Sequence, residues 1–533
     1  ANLSIARDIT ILQSSDSNHL ATIGTDVAGN FAVSGDIDIA GGYVNLMGSD
    51  SGVFILSGAV SGAGGLQEPK LADPYEQGLR LSGTNNYSGG TIIRVGTWAA
   101  ASNTAFGSGT IWFEGNGETT PIGSIVSFTS ARTLANPIVF RANPLFNGGI
   151  ALTLNGTVDL GSVLREIQVT NTAGVTLGGV ISDGGISKTG TGLLILSGNN
   201  SYTNQTQVRE GILQIRSNNA LGSSVGNFNQ ATYITGSGVL EFGAAVSTPE
   251  RINFGATGLP ITSALATGNL RAKTGESNIL NDIGLDDVGT IGVDTNAILN
   301  IDGNLLDQTG LGEATLSKVG GGLLTISRAR ISGVAINGGT VRVRAGSGFE
   351  GTSQVDSLTI TSGTLDLTHN AFIIDYQSSP LTTIHSYLEN GRIISSTGSN
   401  WTVGYAEADW LFDTFPNQFG GLDIDITSLL LLGTYGGDTD LDQDVDFADL
   451  LKVAQNYDTT GNWTEGDFNY DDTIDFTDLL LVAQNYGLGT INGLTSPEQF
   501  SVDWQLARSM ANVPEPTSLI MFGFGLIALR RRR

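Results

Sequence analysis

The sequence predicts a mostly β protein: a parallel β-solenoid, then a small α calcium-binding module, then a short carboxy-terminal apolar helix. Three observations predict it. Glycine supplies 74 of 533 residues against 12 prolines, and charged residues are only 14%. With Thr, Ser, Asn, Val, Ile and Leu filling the gap, that is strand-and-turn composition. Short apolar runs broken by Gly, Asn and Ser recur over residues 1–370. An acidic stretch near the carboxy terminus contains one loop pattern twice. The expected order is 1–370 solenoid, 371–436 cap and connector, 437–488 tandem calcium module, 489–512 linker and 513–533 tail.

Composition also excludes. A net charge of −26 makes nucleic acid a poor partner for the folded body. Residues 401–512 hold 20 Asp/Glu against Lys452 and Arg508, a net −18 of that total. A patch so concentrated must repel itself or hold cations. With no cysteine, disulfides, thiolate metal sites and Cys nucleophiles are all excluded.

In the amino-terminal region, Val53–Leu56, Leu193–Leu196 and Leu323–Ile326 read as strands between turns. Leu81–Ser108 aligns with Leu196–Ser223 at 13 of 28 positions, pairing Tyr87 with Tyr202 and Arg94 with Arg209. A third copy begins at Lys318-Val-Gly-Gly-Gly-Leu323, matching Lys188-Thr-Gly-Thr-Gly-Leu193. Such units cannot bury an apolar face alone and must stack on one another. The alternative is a pair of antiparallel β-sandwiches. The Lys-x-Gly-x-Gly-Leu and Leu-Ser-Gly-x-Asn-x-Tyr-Thr patterns resemble the passenger-associated repeats of autotransporter-type surface proteins. That resemblance implies a right-handed parallel β-helix. It does not bring the autotransporter export route, since no translocating barrel follows.

In the connector, Pro380–Gly391 reads as one short helix ending at glycine, and Asp423–Leu432 as one or two strands packing the cap. An open solenoid end is a free β-edge, so a cap is expected there.

The strongest chemical signal is a duplication at a spacing of 29, with 13 of 21 positions identical between Gly437–Tyr457 and Gly466–Tyr486. A twelve-residue loop with oxygen ligands at positions 1, 3, 5, 7, 9 and 12 wraps one Ca²⁺. Those positions are Asp438, Asp440, Asp442, Asp444, Asp446 and Asp449, then Asp467, Asn469, Asp471, Thr473, Asp475 and Asp478. Two calcium ions are expected. Position 7 gives a backbone carbonyl, so Thr473 is harmless there. Position 6, usually Gly, is Gln443 and Asp472, which predicts left-handed backbone at some cost. Val445 and Ile474 are expected to pair the two loops, with Phe447 and Phe476 packing nearby. Leu450, Ala454 and Tyr457, and likewise Leu479, Ala483 and Tyr486, lie along one helix face. Asp at position 12 and a loop–helix unit without an entering helix resemble a type I dockerin, which implies the calcium role. Phe447-Ala448 and Phe476-Thr477 replace the Ser-Thr pair that many dockerins present to cohesins, so a cohesin-like partner does not carry over directly.

The tail reads Val513-Pro514-Glu515-Pro516, thirteen uncharged residues over 517–529, then Arg530–Arg533. Thirteen helical residues span ~20 Å, short of the ~30 Å hydrocarbon core. It resembles the PEP-CTERM sorting signal, which implies export from a Gram-negative-type cell, transient membrane contact and an exosortase-type processing enzyme.

Catalytic signals are weak. His19, His369 and His385 are not at mutual metal-ligand spacing. One GxSxG string, Gly222–Gly226 with Ser224, and one GxGxxG string, Gly346–Gly351, are near chance frequency in such a chain. Asp282, Asp286, Asp287, Asp294 and Asp302 read as solvated acids; Asp286 and Asp287 on one strand would face opposite ways. Repetition of Arg94 and Arg209 predicts a structural role. The expectation is a non-enzymatic structural or adhesive protein of the cell surface, matrix or biofilm. Its rivals are a carbohydrate-active or polysaccharide-binding β-helix and a filament-forming solenoid subunit.

Overall fold

The computed structural model describes residues 3–12, 20–24, 29–47, 52–68, 78–115, 123–223, 230–255, 269–310, 312–346, 351–490 and 496–511. The expected apolar helix of the tail, His19, Ser224 and Gly348 lie outside the described residues. The chain divides into two compact units, 1–326 with 331–339, and 327–330 with 340–533.

The first unit is a parallel β-solenoid of about 13 turns. Strand pairing within it is parallel, as between Val53–Leu56, Gly78–Leu81 and Gly96–Ala100. An antiparallel sandwich is thereby set aside. The strands are short because each coil turns a corner after a few residues, and side chains alternate inward and outward. Leu134, Leu154, Leu177, Leu196, Ile215, Phe242, Ala272 and Val293 follow one another in register, and all are buried. Each coil therefore completes the apolar face of the one before it, and the core is a continuous column.

The repeat motif has a physical basis at each fixed position. Gly83 and Gly198 sit where a Cβ would collide with the backbone oxygen of Gly58 or Gly179 on the neighbouring coil. Two residues on, Asn85 accepts from the Val60 N–H at 2.9 Å and donates to the Ala105 carbonyl at 2.6 Å. Asn200 makes the same pair with Ile181 (2.9 Å) and Ala220 (2.6 Å), so one buried amide bridges three coils in both copies. Tyr87 and Tyr202 are fully buried, with hydroxyls bonded to Thr91 (2.6 Å) and Thr206 (2.7 Å).

The repeat lysine is also internal. Lys188 Nζ donates to the carbonyls of Thr189, Gly190 and Glu210 at 2.9, 2.6 and 2.9 Å. Lys318 does the same with Val319, Gly320 and Gly338 at 3.0, 2.8 and 3.0 Å, placing the third copy in the same geometry. Burial pushes both ammonium groups down to about 8. Three carbonyls per ammonium match its three donors, which is what makes a lysine tolerable there.

Arginine is different. Arg94 reaches Glu114 at 2.7 Å and the carbonyl of Glu68, whereas Arg209 is exposed, so the shared arginine is not one structural feature. Asp286 and Asp287 lie in the turn between Ile283–Leu285 and Val288–Val293, not on a strand.

In the second unit, strands pair first in parallel and then antiparallel. Ser353–Val355 pairs in parallel with Ala371–Asp375, but Ala371–Asp375 pairs antiparallel with Ser428–Tyr435. Ser428–Tyr435 pairs antiparallel again with Trp401–Glu407. The Leu381–Glu389 helix is as expected, with Gly391 at φ +62 just beyond it. The helices Phe447–Asn456 and Phe476–Asn485 follow. Where a linker was expected, Pro497–Ala511 is a helix that buries Trp504 and Ala507.

Candidate metal centre

The two duplicated loops adopt the same backbone. The residue at position 1, Asp438 or Asp467, is buried and accepts from the N–H groups of positions 5 and 6. These are Asp442 (3.2 Å) and Gln443 (2.9 Å) in the first loop, Asp471 (3.2 Å) and Asp472 (3.0 Å) in the second. The position 12 carboxylates take the N–H groups of positions 2 and 9: Asp449 from Thr439 and Asp446, both 2.7 Å, and Asp478 from Phe468 (2.8 Å) and Asp475 (3.1 Å). Asp446 and Asp475 cap their helices through Ala448 (2.6 Å) and Thr477 (2.7 Å). Asp442 and Asp471 accept from position 7, Asp444 and Thr473, both at 2.9 Å. Asn469 Nδ2 donates to Asp471 at 2.9 Å.

These bonds fold each loop around its own side-chain oxygens. Carboxylate oxygens of Asp438, Asp440 and Asp449 lie within 4.8 Å of one another, as do those of Asp444, Asp446 and Asp449. Asp449 joins both groups. Asp442 stands beside them through its backbone contacts. In the second loop Asn469 and Thr473 replace two acids, and the carboxylate group found there is Asp467 with Asp472 and His385.

The electrostatics follow from the crowding. Burial first, then repulsion from Asp449 and Asp442, holds the Asp438 carboxyl well above its usual range despite a bond from Thr434. Burial pushes Asp449 up to about 7 and Asp467 to about 6. Asp444 is pushed to about 6 by burial and by Asp442, Asp446 and Asp440, and its buried Oδ1 has no hydrogen-bond partner. Hard oxygen donors, mutually repelling and partly desolvated, fit a divalent cation of the Ca²⁺ type.

The duplication is also spatial. Gly437, at φ +122, packs on Val482 of the other helix, and Gly466, at φ +123, packs on Val453. Asn485 Nδ2 bonds the Gly436 carbonyl at 2.6 Å and Asn456 Nδ2 bonds the Glu465 carbonyl at 3.2 Å. The expected pairing of Val445 with Ile474 is not found. Val445 exchanges backbone bonds with Gly487 (2.8 Å) and Leu488 (3.0 Å), and Ile474 accepts from Asp458 at 2.8 Å. Each loop thus pairs with the chain leaving the other loop's helix, and both residues are buried. Leu450, Ala454, Leu479 and Tyr486 are buried as expected. Phe476, however, is 46% exposed, while Phe447 at the same loop position is half-buried.

Several contributors carried no sequence signal. Trp463 is fully buried and donates to the Asp438 carbonyl at 2.6 Å. Tyr470 Oη donates to the Val403 carbonyl at 2.7 Å and lies 2.8 Å from Thr402 Oγ1. The left-handed position 6 residues are at φ +68 for Gln443 and +63 for Asp472. Gln443 has a use for its side chain, which donates to the carbonyls of His369 (2.9 Å) and Gly433 (3.1 Å). The loops are therefore docked onto the cap strands rather than tethered to them.

Comparison with known proteins adds the following. Residues 78–97 and 186–215 match the passenger-associated-transport-repeat, and residues 512–533 match the PEP-CTERM protein-sorting motif. The chain is 30% identical over 210 residues to "Adhesin BmaC autotransporter" of Brucella suis biovar 1 (strain 1330). That alignment covers 38% of this chain and 6% of the relative, so the chain spans a small fraction of that protein's length. No solved structure matches. The PEP-CTERM motif implies sorting by an exosortase-type enzyme. With the passenger repeats it marks an exported cell-surface protein of a Gram-negative bacterium.

Proposed function

We propose that the chain is a non-catalytic adhesive or structural protein of the cell surface whose dockerin-like module folds around two Ca²⁺ ions. Asp438, Asp440, Asp442, Asp444, Asp446 and Asp449 would hold one ion. Asp467, Asn469, Asp471, Thr473, Asp475 and Asp478 would hold the other, with Thr473 acting through its carbonyl. The observation that carries the reading is the repetition of one loop at a spacing of 29, down to the same carboxylate-to-backbone bonds. Acids at that density need a cation to be charged and folded at once. The adhesive role rests on the stacked passenger-type repeats and on the relative's name.

Isothermal titration of the chelator-stripped full chain tests the metal reading. Two calcium ions per chain are expected, with Asp449→Ala and Asp478→Ala each removing one. A stoichiometry unchanged in both variants would sink it. For adhesion, beads coated with the calcium-loaded protein are expected to attach to surfaces or to one another more than beads coated with carrier protein. Equal attachment would remove that role.

A further inference from the structure

We infer that His385, Asp472 and Asp467 form a binding site for a first-row transition-metal dication on the flank of the second loop. His385 sits on the Leu381–Glu389 helix, and its Nε2 lies with one oxygen of each aspartate in a group spanning at most 4.8 Å. That nitrogen is buried, has no hydrogen-bond partner, and stands 3.5 Å from Asp472 Oδ1. Tyr405 packs against the imidazole in an edge-on arrangement, with ring centroids 5.7 Å apart.

Asp472 gives the second argument. It occupies a left-handed position that glycine would fill without strain, at φ +63. In the first loop, the strained residue is Gln443, whose amide ties the loop to the cap. In the second loop, the equivalent side chain turns to His385 instead, so the strain there carries a carboxylate to an imidazole. Asp467 takes one backbone N–H on each oxygen, which leaves acceptor capacity for a metal on either.

The donor set decides the class of ion. Imidazole with carboxylates suits Zn²⁺, Co²⁺ or Mn²⁺, whereas Ca²⁺ takes oxygen alone. Three donors around an ion with bonds of ~2.1 Å sit up to ~4 Å apart, so a small rotation of exposed Asp472 closes the group. Three protein ligands leave further positions to water or to an outside donor. The site lies beyond the calcium reading but shares Asp467 with it.

Zn²⁺ titrated into the calcium-saturated full chain is the test, with calcium content measured in the same samples and Co²⁺ absorption as a second readout. One Zn²⁺ per chain is expected beyond the calcium, with a visible Co²⁺ spectrum typical of nitrogen ligation. His385→Ala and Asp472→Gly should each weaken Zn²⁺ by at least ~30-fold while leaving calcium content intact. Asp472→Gly suits the left-handed backbone, so it keeps the test meaningful if His385→Ala folds poorly. Absence of Zn²⁺ binding, or equal binding in both variants, overturns the site and makes the His385–Asp472 contact an ion pair only. A calcium shortfall in the wild-type chain would instead count against the calcium reading.

Discussion

The solenoid and the twin-loop module solve the same problem, buried polar groups in a glycine-rich chain, with opposite chemistry. In the solenoid, the buried polar side chains of the repeat are answered from within: Lys188 by three carbonyls, and Asn200 by one N–H and one carbonyl. In the module, carboxylates face each other, with Asp438, Asp440 and Asp449 in one group and no cationic side chain in it. A closed hydrogen-bond set makes stability a property of the chain alone, whereas an open set of like charges makes it a property of the chain plus ions.

Calcium removal should break that comparison most visibly. With each site at about a thousandfold excess over its dissociation constant, two ions contribute ~8 kcal/mol to the module. Hydrogen exchange in chelator is expected to lose protection over 447–456 and 476–485 while the amides of 152–215 keep theirs. Equal loss in both regions would mean that the module is not the calcium-dependent part. A smaller break comes from the other side. Lys188→Met leaves three carbonyls without their shared donor, at a cost of about 3 kcal/mol. Urea unfolding of the solenoid should shift by that amount with or without calcium.

These two regions also differ in how much of them was legible. Leu-Ser-Gly-x-Asn-x-Tyr could be read because identical backbone surroundings recur every coil, so the same side chains are required again at Asn85 and Asn200 or Tyr87 and Tyr202. The loop acids were legible for a related reason: one pattern occurs twice at a spacing of 29, and the same carboxylate-to-backbone bonds recur with it. Arg94 and Arg209 misled because recurrence on an outer face imposes no common contact; Glu114 is present for one and Arg209 is exposed. Trp463, Tyr470 and His385 were silent because each works through a contact distant in sequence, to Asp438, Val403 and Asp472. The crossed pairing of Val445 with 487–488 was likewise invisible, since either pairing buries the same side chains.

Acidity offers a sharper test of the solenoid's self-sufficiency at a strongly perturbed acid, Glu68. Glu68 is buried, accepts from Trp98 Nε1 at 2.8 Å and from the N–H groups of Arg94 (2.9 Å) and Val95 (2.8 Å), yet burial still pushes it up to about 7. A carboxyl whose folded value is raised keeps its proton longer folded than unfolded. Its stabilising effect is therefore complete below about 4.5 and is lost as pH rises towards 7. The expected loss is about 3 kcal/mol between those limits. Urea midpoints of the solenoid across that range should fall with pH, and Glu68→Gln should flatten the profile. A profile that rises instead would mean that the three donors outweigh burial.

The smallest expected effect separates the regions best, because it uses one chemical change in both. Tyr202 and Tyr470 each lose a single hydroxyl on mutation to Phe, worth about 1 kcal/mol apiece. Tyr202 bonds Thr206 four residues away inside a coil, so its loss lowers solenoid stability by that amount whatever the calcium concentration. Tyr470 sits between loop positions 3 and 5 and bonds Val403 and Thr402, so its contact forms only when the second loop does. If that loop forms with its ion, as proposed, the same 1 kcal/mol should appear as about fivefold weaker calcium binding at one site. Titration calorimetry of Tyr470→Phe reads that change directly. An unaltered calcium affinity would mean that the second loop is already formed without its ion, and the contrast between a self-satisfied region and an ion-dependent one would have to be confined to the first loop.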